Sequence, residues 1–484
     1  MSLRRFLAVA GFVLCLTGGA VAAERPIAAP MLTASQILAL RGDTPSQSQL
    51  RVVFDRESGG IAEPPLTIWI GPDYFAIMGD ENESLYDLKL RRRFVIDRRQ
   101  STLVNFSLYG DVIFRQIELT RRIELARAVA QTQSDQFVPT SLEPFWIEAE
   151  LGILQPGPLQ SGIEHQDQDG AIYFRFVGQD VASFVADTAT VPEGLRHSYG
   201  AFVHHRLSLH PAIAEIVAEN VHLPARMIFL SEASGSQVRE TLTLRSVQTV
   251  AAPYPMSPDL KRVILPTGAR DADVVLAQDI LPEMIEAIAG RAGNGPRPIV
   301  DYRRSIDRAL RENKAFEASL LLAELALQWG RPAADCDGGG DGAPCHPRRE
   351  IEHALSGDPR AVQMFQAAAI ETKEPDRALA IWRGLDRSDV TDGYVADIFI
   401  ARLASVRGRR EEAGSAFETA FGGNPYIPEL YRDLGDHFAR ASRIDLAWLC
   451  YDVGRALPSR TGADSLSDID VLERQLVKQY PEFF

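Results

Sequence analysis

The chain has 484 residues, with 51 Lys and Arg against 65 Asp and Glu, and a formal net charge of −14 at neutral pH. A net acidic protein is a poor partner for nucleic acid or for anionic lipid surfaces, so neither partner is expected here. The length is sufficient for two or more domains of ordinary size.

Residues 1–23 have the pattern of a secretory signal peptide. Arg4 and Arg5 form a basic start, residues 6–16 form a short apolar core, and Ala20 and Ala22 place small residues ahead of a cleavage point. The apolar run is too short for a good membrane anchor, and no later segment has enough uninterrupted apolar residues to span a bilayer. We therefore expect an exported protein, periplasmic or secreted.

The chain after the signal begins with a polar leader and then a series of strands. Residues 24–48 are rich in Pro, Ala, Ser and Gln and predict a leader with one short helix. From residue 49, short β-branched and aromatic runs such as LRVVFD, LTIWIG and RRFVID are separated by Gly, Pro, Asp and Asn, which predicts antiparallel strands. Residues 109–131 carry apolar residues at helical intervals and predict a helix.

Strand patterns return after that helix. The runs FWIEAELGIL (145–154), AIYFRFVG and VASFVAD predict strands, with Asp169 and Gly170 as a hairpin turn. Residues 197–221 predict two helices divided at Pro211, and a strand pair turning near residue 234 follows. Residues 49–250 are therefore expected to form an α+β domain of antiparallel strands with helical inserts.

The order of elements in residues 49–250 is similar to that of known carriers. Strands, a helix, a Leu-Pro-led strand and a final TLTLRSV strand follow one another, and this order resembles periplasmic lipoprotein-carrier-like half-barrels. In that family an open sheet with a helix against its concave face binds acyl chains. The resemblance implies lipid or acylated cargo as the ligand. The alternative is an ordinary sheet whose apolar face is filled by its own helices.

Residues 251–300 contain seven prolines and predict a linker between domains, with a docked helix near residues 275–290. From residue 301 the strands stop and helix pairs follow. Residues 398–425 superpose on residues 432–459 at a period of 34 residues. Small residues recur where helices would cross, and aromatic residues recur between helices; in the second unit these positions are Tyr431, Leu434, Gly435, Phe438, Ala447 and Tyr451.

This pattern resembles the tetratricopeptide repeat, a helix–turn–helix unit that stacks into a solenoid. Weaker units occupy residues 302–329 and 359–389, so the repeats are expected to cover residues 301–465. Residues 466–484 are expected to cap the stack with a polar helix.

The loop at residues 331–347 contains DCDGGGDGAPCHP and interrupts the repeats. Cys336 and Cys345 predict a disulfide that closes the loop, as suits an oxidising compartment. The alternative is a calcium site made by Asp335, Asp337 and Asp341, although the loop lacks the glutamate that ends an EF-hand. The remaining cysteine of the exported chain, Cys450, lies in an apolar helical run and is expected to be a buried thiol.

Five of the nine histidines fall within 26 residues: His197, His204, His205, His210 and His222. A metal site would need Glu215 or Glu219 to join them. The preferred interpretation is a polar helix surface with capping roles. No metal and no cofactor are expected.

The tetratricopeptide resemblance implies a protein-binding groove lined by the first helix of each unit. Carried over by position, the groove residues are Arg360, Gln363, Arg402, Arg432, Asp436 and Arg440. Arginine binds carboxylates bidentately, which implies an acidic segment of another envelope protein or peptide as the partner. The alternative is that these arginines pair with local acids such as Asp433 or Glu429.

Protein binding or scaffolding in the cell envelope is thus the expected function. The alternative is a carrier of lipid or acylated cargo in residues 49–250. An enzyme of unknown type is the third hypothesis, and no nucleophile, metalloprotease, phosphate-loop or dinucleotide motif favours it.

Overall fold

A computed structural model describes residues 32–42, 46–79, 82–131, 143–154, 162–233, 236–264, 272–288, 296–329, 356–457 and 466–484. The chain divides into two compact units. The sheet unit comprises residues 32–263 together with residues 472–484, and the helical unit comprises residues 264–471.

The sheet unit contains one large, almost entirely antiparallel sheet. Its strands in chain order are β1 (Gln47–Ser58), β2 (Ile61–Gly71), β3 (Tyr74–Met78), β4 (Asn82–Asp87), β5 (Arg92–Asp97), β6 (Thr102–Ser107), β7 (Ile163–Gln168), β8 (Ala171–Phe176), β9 (Gln179–Thr190), β10 (His222–Ala233), β11 (Ser236–Ala252) and β12 (Lys261–Arg262). The order across the sheet is β12-β6-β5-β4-β3-β2-β1-β11-β10-β9-β8-β7. The chain therefore starts at the centre, runs outward to β6, and returns from the far edge to pair β11 with β1.

The predicted hairpin at residues 169–170 is confirmed. Gln168 pairs with Ala171, and Asp169 and Gly170 both have positive φ, 54° and 80°. Two consecutive left-handed residues match the right-handed twist of the flanking strands, which is why this dipeptide is a strong hairpin signal. The strand pair that turns near residue 234 is also confirmed, since Ala233 pairs with Ser236.

Helices of the sheet unit are α1 (Ala34–Arg41), α2 (Leu108–Gln131), α3 (Glu143–Leu151), α4 (Arg196–Arg206) and α5 (Pro211–Glu219). The break between α4 and α5 is confirmed: Pro211 is the first residue of α5, and the His210 side chain accepts a hydrogen bond from Ala212 N at 3.2 Å. The predicted helix at 109–131 is confirmed as α2.

The strand predicted at FWIEAELGIL is wrong, because most of this run forms α3. The alternation of Ile147, Ala149 and Leu151 with glutamates imitates a half-buried strand. Phe145, Trp146 and Ala149 lie on one buried face of the helix, and Leu151 is buried at its end. Strand β7, with sequence IEHQDQ, was not predicted, because an exposed edge strand has no apolar alternation to show.

Strand β3 is covered on both faces, which explains its continuous apolar sequence YFAIM. On one face, Tyr74 and Ala76 belong to a core shared with Ala34 and Ile37 of α1 and with residues 254–260. On the other face, Phe75 packs edge-on against Phe202 of α4, with ring centroids 5.9 Å apart. Parts of the predicted leader and of the predicted linker therefore build the core of the sheet unit.

The helical unit contains α6 (Ala272–Ile288), α7 (Ile299–Arg311), α8 (Ala315–Trp329), α9 (Pro359–Ile370), α10 (Pro375–Gly384), α11 (Val395–Val406), α12 (Arg410–Gly423), α13 (Pro428–Arg440), α14 (Ile444–Ala456) and the first part of α15 (Ser467–Gln479). The coarse fold class is confirmed: an antiparallel sheet with helices precedes an all-helical region of paired helices. The close crossing predicted at Gly435 is present, since a Cβ there would lie 2.3 Å from the Tyr451 ring.

Helix α8 lies at the centre of the helical unit. It packs against α7, its hairpin partner, and also contacts α9, α11 and α13, the first helices of three later pairs. Its buried residues include Phe316, Leu320, Glu324 and Gln328 and occupy every side of the helix, as in a core helix. In a simple solenoid each pair contacts its neighbours alone, so the position of α8 departs from that stacking.

Candidate functional site

A cavity of about 390 Å³ lies within the sheet unit, between strands β1, β2, β3, β10 and β11 and the carboxyl-terminal ends of α3 and α4. The wall residues include both apolar and polar side chains. They are Arg56, Leu66, Ile77, Trp146, Ala149, Glu150, His205, Arg206, Leu207, Ser208, Phe229, Ser231, Glu240 and Leu242.

The helical wall of this cavity is held at one point by Arg115 of α2. Its guanidinium donates hydrogen bonds to Leu151 O at 2.9 Å and to His205 O at 3.0 Å, and it lies 3.5 Å from His204 O. These carbonyls are at the ends of α3 and α4, where backbone acceptors have no partner inside the helix. Burial lowers the pKa of Arg115, partly offset by Asp111. One partly buried cation thus fixes the ends of both wall helices.

His205 connects the cavity wall to the segment 472–484. Its Nε2 lies 2.9 Å from the carbonyl oxygen of Phe483, which only accepts, so Nε2 carries the proton. Burial, and then the nearby Arg115 guanidinium, hold the pKa of His205 well below its usual value, so the ring is neutral. The ring also packs against Tyr86, with centroids 4.9 Å apart.

Most charged side chains of the cavity wall have partners within the unit. Arg56 Nε lies 3.6 Å from Glu240 Oε2, and Arg122 Nη2 donates to Glu150 Oε1 at 3.0 Å. Arg206 differs, because it is exposed and forms no hydrogen bond or ion pair with another residue in the described ranges. The cavity wall therefore combines apolar side chains with polar and charged ones, and among the charged ones Arg206 has no partner in the described ranges.

The histidines predicted to lie on a polar helix surface are divided between two environments. His204, His205 and His210 are buried, which makes the surface part of that interpretation wrong for all three. Burial and Arg115 lower the pKa of His204 to about 4. His210 has the predicted capping role, and its Nε2 lies 2.8 Å from Glu148. Across the described residues, no cluster of three or more His, Cys, Asp or Glu is placed to hold a metal ion.

Three of the four predicted groove arginines, Arg360, Arg402 and Arg432, have carboxylate partners in their own chain. Arg402 Nη2 lies 2.8 Å from Asp433 and 3.2 Å from Glu429, which is the local pairing that the sequence left as the alternative. Burial acts to lower the pKa of Arg402, but Asp433, Glu371 and Glu429 outweigh it and the pKa is raised. Arg402 is thus held by three carboxylates.

The other predicted groove residues differ in how far they are engaged. Arg432 donates to Asp468 at 2.6 Å and to Asp436 at 3.0 Å. Arg360 lies 2.6 Å from Asp389. By contrast, Gln363 and Arg440 are exposed, and Arg440 donates to the Ser405 hydroxyl at 3.3 Å. Binding of a partner through this surface stays a prediction.

The predicted loop chemistry lies outside the described residues, both the disulfide between Cys336 and Cys345 and the calcium alternative at Asp335, Asp337 and Asp341. Cys450 is described, and its prediction as a buried thiol is confirmed. Burial raises the pKa of this thiol well above its usual value.

Sequence reasoning missed the cavity because its walls come from strands and helices far apart in the chain. The usable signals were the apolar β3 run and the His-His-Arg run at the end of α4. Within the described ranges, each helix is too short or too polar to cross a bilayer. Comparison with protein-family models gives no match to this chain, and comparison with curated proteins gives none either.

Proposed function

We propose that the chain is a binding protein whose cavity takes an amphipathic ligand with an apolar body and an anionic head. The observation that carries the proposal is the cavity in the sheet unit. Its volume of about 390 Å³ falls in the range of small-molecule sites, roughly 300–1,000 Å³. Lipids and acylated cargo, the ligands that the half-barrel resemblance implies, belong to this class.

The wall supports this ligand chemistry. Leu66, Ile77, Trp146 and Phe229 offer apolar surface, and burying apolar ligand surface against them contributes roughly 25 cal/mol per Å². Arg206 offers a guanidinium that carries no internal partner in the described ranges, and this group binds carboxylate or phosphate bidentately.

A fluorescent amphiphile tests the proposal. We expect 11-(dansylamino)undecanoate to bind the full chain saturably, with an emission increase as the dansyl group contacts the apolar side chains of the wall. Arg206→Ala should weaken binding by about 5- to 10-fold, because a charge-assisted contact to the carboxylate is lost. The methyl ester of the probe should bind the wild type and the variant equally.

Arg196→Ala is the matched control, since Arg196 is an exposed arginine at the other end of α4 and is absent from the cavity wall. This control should retain wild-type affinity for the probe. Absence of saturable binding to the wild type would show that the cavity does not take amphiphiles. Equal weakening by both substitutions would remove Arg206 as the head-group residue.

We also propose protein binding through the helical unit, with tetratricopeptide-like stacking of the pairs α9 to α14. The partner is an envelope protein or peptide with an acidic segment. Supporting this proposal, Gln363 and Arg440 are exposed on the first helices of two pairs, and a first helix is where the family's groove lies.

For the protein-binding proposal, Arg440→Ala should reduce capture of acidic partners from an envelope extract. High salt should do the same, because exposed charge pairs are screened. The fold should be retained, since exposed charges typically contribute less than about 1 kcal/mol. An unchanged set of captured proteins, identified by mass spectrometry, would exclude Arg440 from the binding surface.

A further inference from the structure

We propose that the segment 472–484, through Phe483, holds the helical wall of the cavity closed and thereby sets the rate at which ligand enters and leaves. This inference rests on the proposed function of the cavity. It assigns Phe483 and Arg115 as positioning residues, which act on the ligand through α3 and α4 rather than by touching it.

The first support is the position of Phe483. Its side chain is fully buried, and its ring covers the Arg115 guanidinium at 5.1 Å from the ring centroid. The ring also meets His205 edge-on, with centroids 4.9 Å apart at 89°, while the Phe483 carbonyl accepts the His205 Nε2 proton. Phe483 therefore packs on the cation that fixes the ends of both wall helices and on a residue of the wall itself.

The second support is the tight packing at this point. Gly152, which follows α3, has φ +67°, and a Cβ there would lie 2.8 Å from Arg115 Nη1 and 3.2 Å from His204 O. The α3 end, the α4 end and Arg115 are thus in close contact, and Phe483 Cζ is 3.9 Å from the same point. Densely packed groups have discrete arrangements rather than continuous ones, so displacing the Phe483 ring shifts both helix ends.

The third support is the chain position of the residues at the α4 end. His205 contacts Phe483 and lines the cavity, and the next residues, Arg206 and Leu207, line the cavity as well. A shift of the last turn of α4 therefore moves three consecutive wall residues. Segment 472–484 contacts the wall at one place, whereas strands β1 and β11 pair along the whole of β1. Opening the wall should therefore cost less free energy than unfolding the whole unit.

Ligand exchange kinetics test the inference. Stopped-flow release of 11-(dansylamino)undecanoate should be about tenfold faster from Phe483→Ala than from the wild type, with association accelerated similarly and Kd changed by less than about threefold. Phe483→Leu should fall between the two. The matched control is Phe484→Ala, whose ring packs against Tyr109 at 5.1 Å, and its rates should stay close to the wild type.

Amide hydrogen exchange provides a second readout that needs no ligand. Phe483→Ala should accelerate exchange in α3 and α4 while leaving β1 and β11 protected, and Phe484→Ala should not. Unchanged exchange and unchanged probe kinetics in Phe483→Ala would overturn the inference. Equal acceleration by both variants would also overturn it, because the segment would then act only on general stability. If Phe483→Ala showed the local exchange effect but the wild type bound no probe, the proposed function would instead be overturned.

Discussion

Arg41→Leu should lower the free energy of unfolding of the sheet unit by about 3–5 kcal/mol, because it leaves a buried carboxylate without its cation. Arg41 and Asp87 have no exposed side-chain surface, and Nη1 lies 2.5 Å from Oδ2. The guanidinium also lies over the Tyr254 ring, 4.0 Å from its centroid. The Tyr254 hydroxyl donates to the same carboxylate at 2.6 Å.

Arg41, Asp87 and Tyr254 link α1, β4 and the segment that follows β11, which are distant in the chain. Burial raises the pKa of Asp87, and Arg41 acts in the opposite direction. Without Arg41, Asp87 should therefore take up a proton more readily in the folded state. A folded-state pKa above the unfolded value, about 3.9 for Asp, makes stability fall as pH rises through that interval. The deficit of Arg41→Leu should thus be smaller near pH 5 than near pH 8.

A double-mutant cycle separates the ion pair from the loss of packing. The double variant Arg41→Leu/Asp87→Leu should be less destabilised than Arg41→Leu alone, because no charge is left buried. Hydrogen exchange of sheet-unit peptides over a urea series would measure this unit separately from the helical unit. Additive losses in the cycle would show that the two side chains stabilise the fold independently.

The fold was predictable where one local pattern has one structural outcome. Asp169 and Gly170 specify a hairpin, and Pro211 starts a helix, whatever surrounds them. The helix in FWIEAELGIL was not predictable, because this run has both the apolar–polar alternation of a strand and the apolar face of a helix. Only the packing of Trp146 decides between the two. The core residues within the predicted leader and linker were not predicted, because their apolar side chains are few and meet only in the folded core.

The candidate site was less predictable than the fold, because its contacts are long-range. His205 and Phe483 are separated by 278 residues, and no sequence spacing indicates that contact. For the helical unit, the 34-residue period correctly indicates neighbouring helices and the close approach at Gly435. It does not indicate which turn of α13 faces Arg402, which contacts Asp433 and Glu429, about one and two turns before Asp436 in the helix.

The environment of Arg402 leads to the second large prediction, which concerns the helical unit. One guanidinium from α11 lies among three carboxylates: Glu371, which follows α9, and Glu429 and Asp433 of α13. Burial raises the pKa of Glu429 to about 7, with Arg402 acting in the opposite direction. Burial also raises the pKa of Asp433 and of Glu371.

The sign of the pH effect follows from these directions. The folded-state pKa of Glu429 lies above the unfolded value of about 4.3, so the folded state binds the proton more tightly. The contribution of Glu429 protonation to the free energy of unfolding is fully present below about pH 4 and is lost as pH rises toward 7. The wild-type helical unit should therefore be more stable near pH 5 than near pH 8, by about 1–3 kcal/mol from this cluster.

Arg402→Met should destabilise the helical unit by about 3–5 kcal/mol near pH 8, because three adjacent carboxylates lose their shared cation. Near pH 5 the loss should be smaller, since the carboxyl groups can protonate in the folded state. Adding Glu429→Gln to Arg402→Met should recover part of the loss near pH 8 and little near pH 5. Urea unfolding followed by far-ultraviolet circular dichroism at both pH values measures these differences.

Arg440→Met is the matched control, because Arg440 lies on α13 but is exposed and its hydrogen bond goes to a hydroxyl rather than to a carboxylate. Its cost should stay below about 1 kcal/mol at both pH values. If Arg402→Met were as mild as this control, the carboxylates would be stabilised by solvent and Arg402 would be available to a partner. A large, pH-dependent cost would instead show that Arg402 stabilises the packing between α11 and α13, leaving Arg440 as the better residue for partner binding.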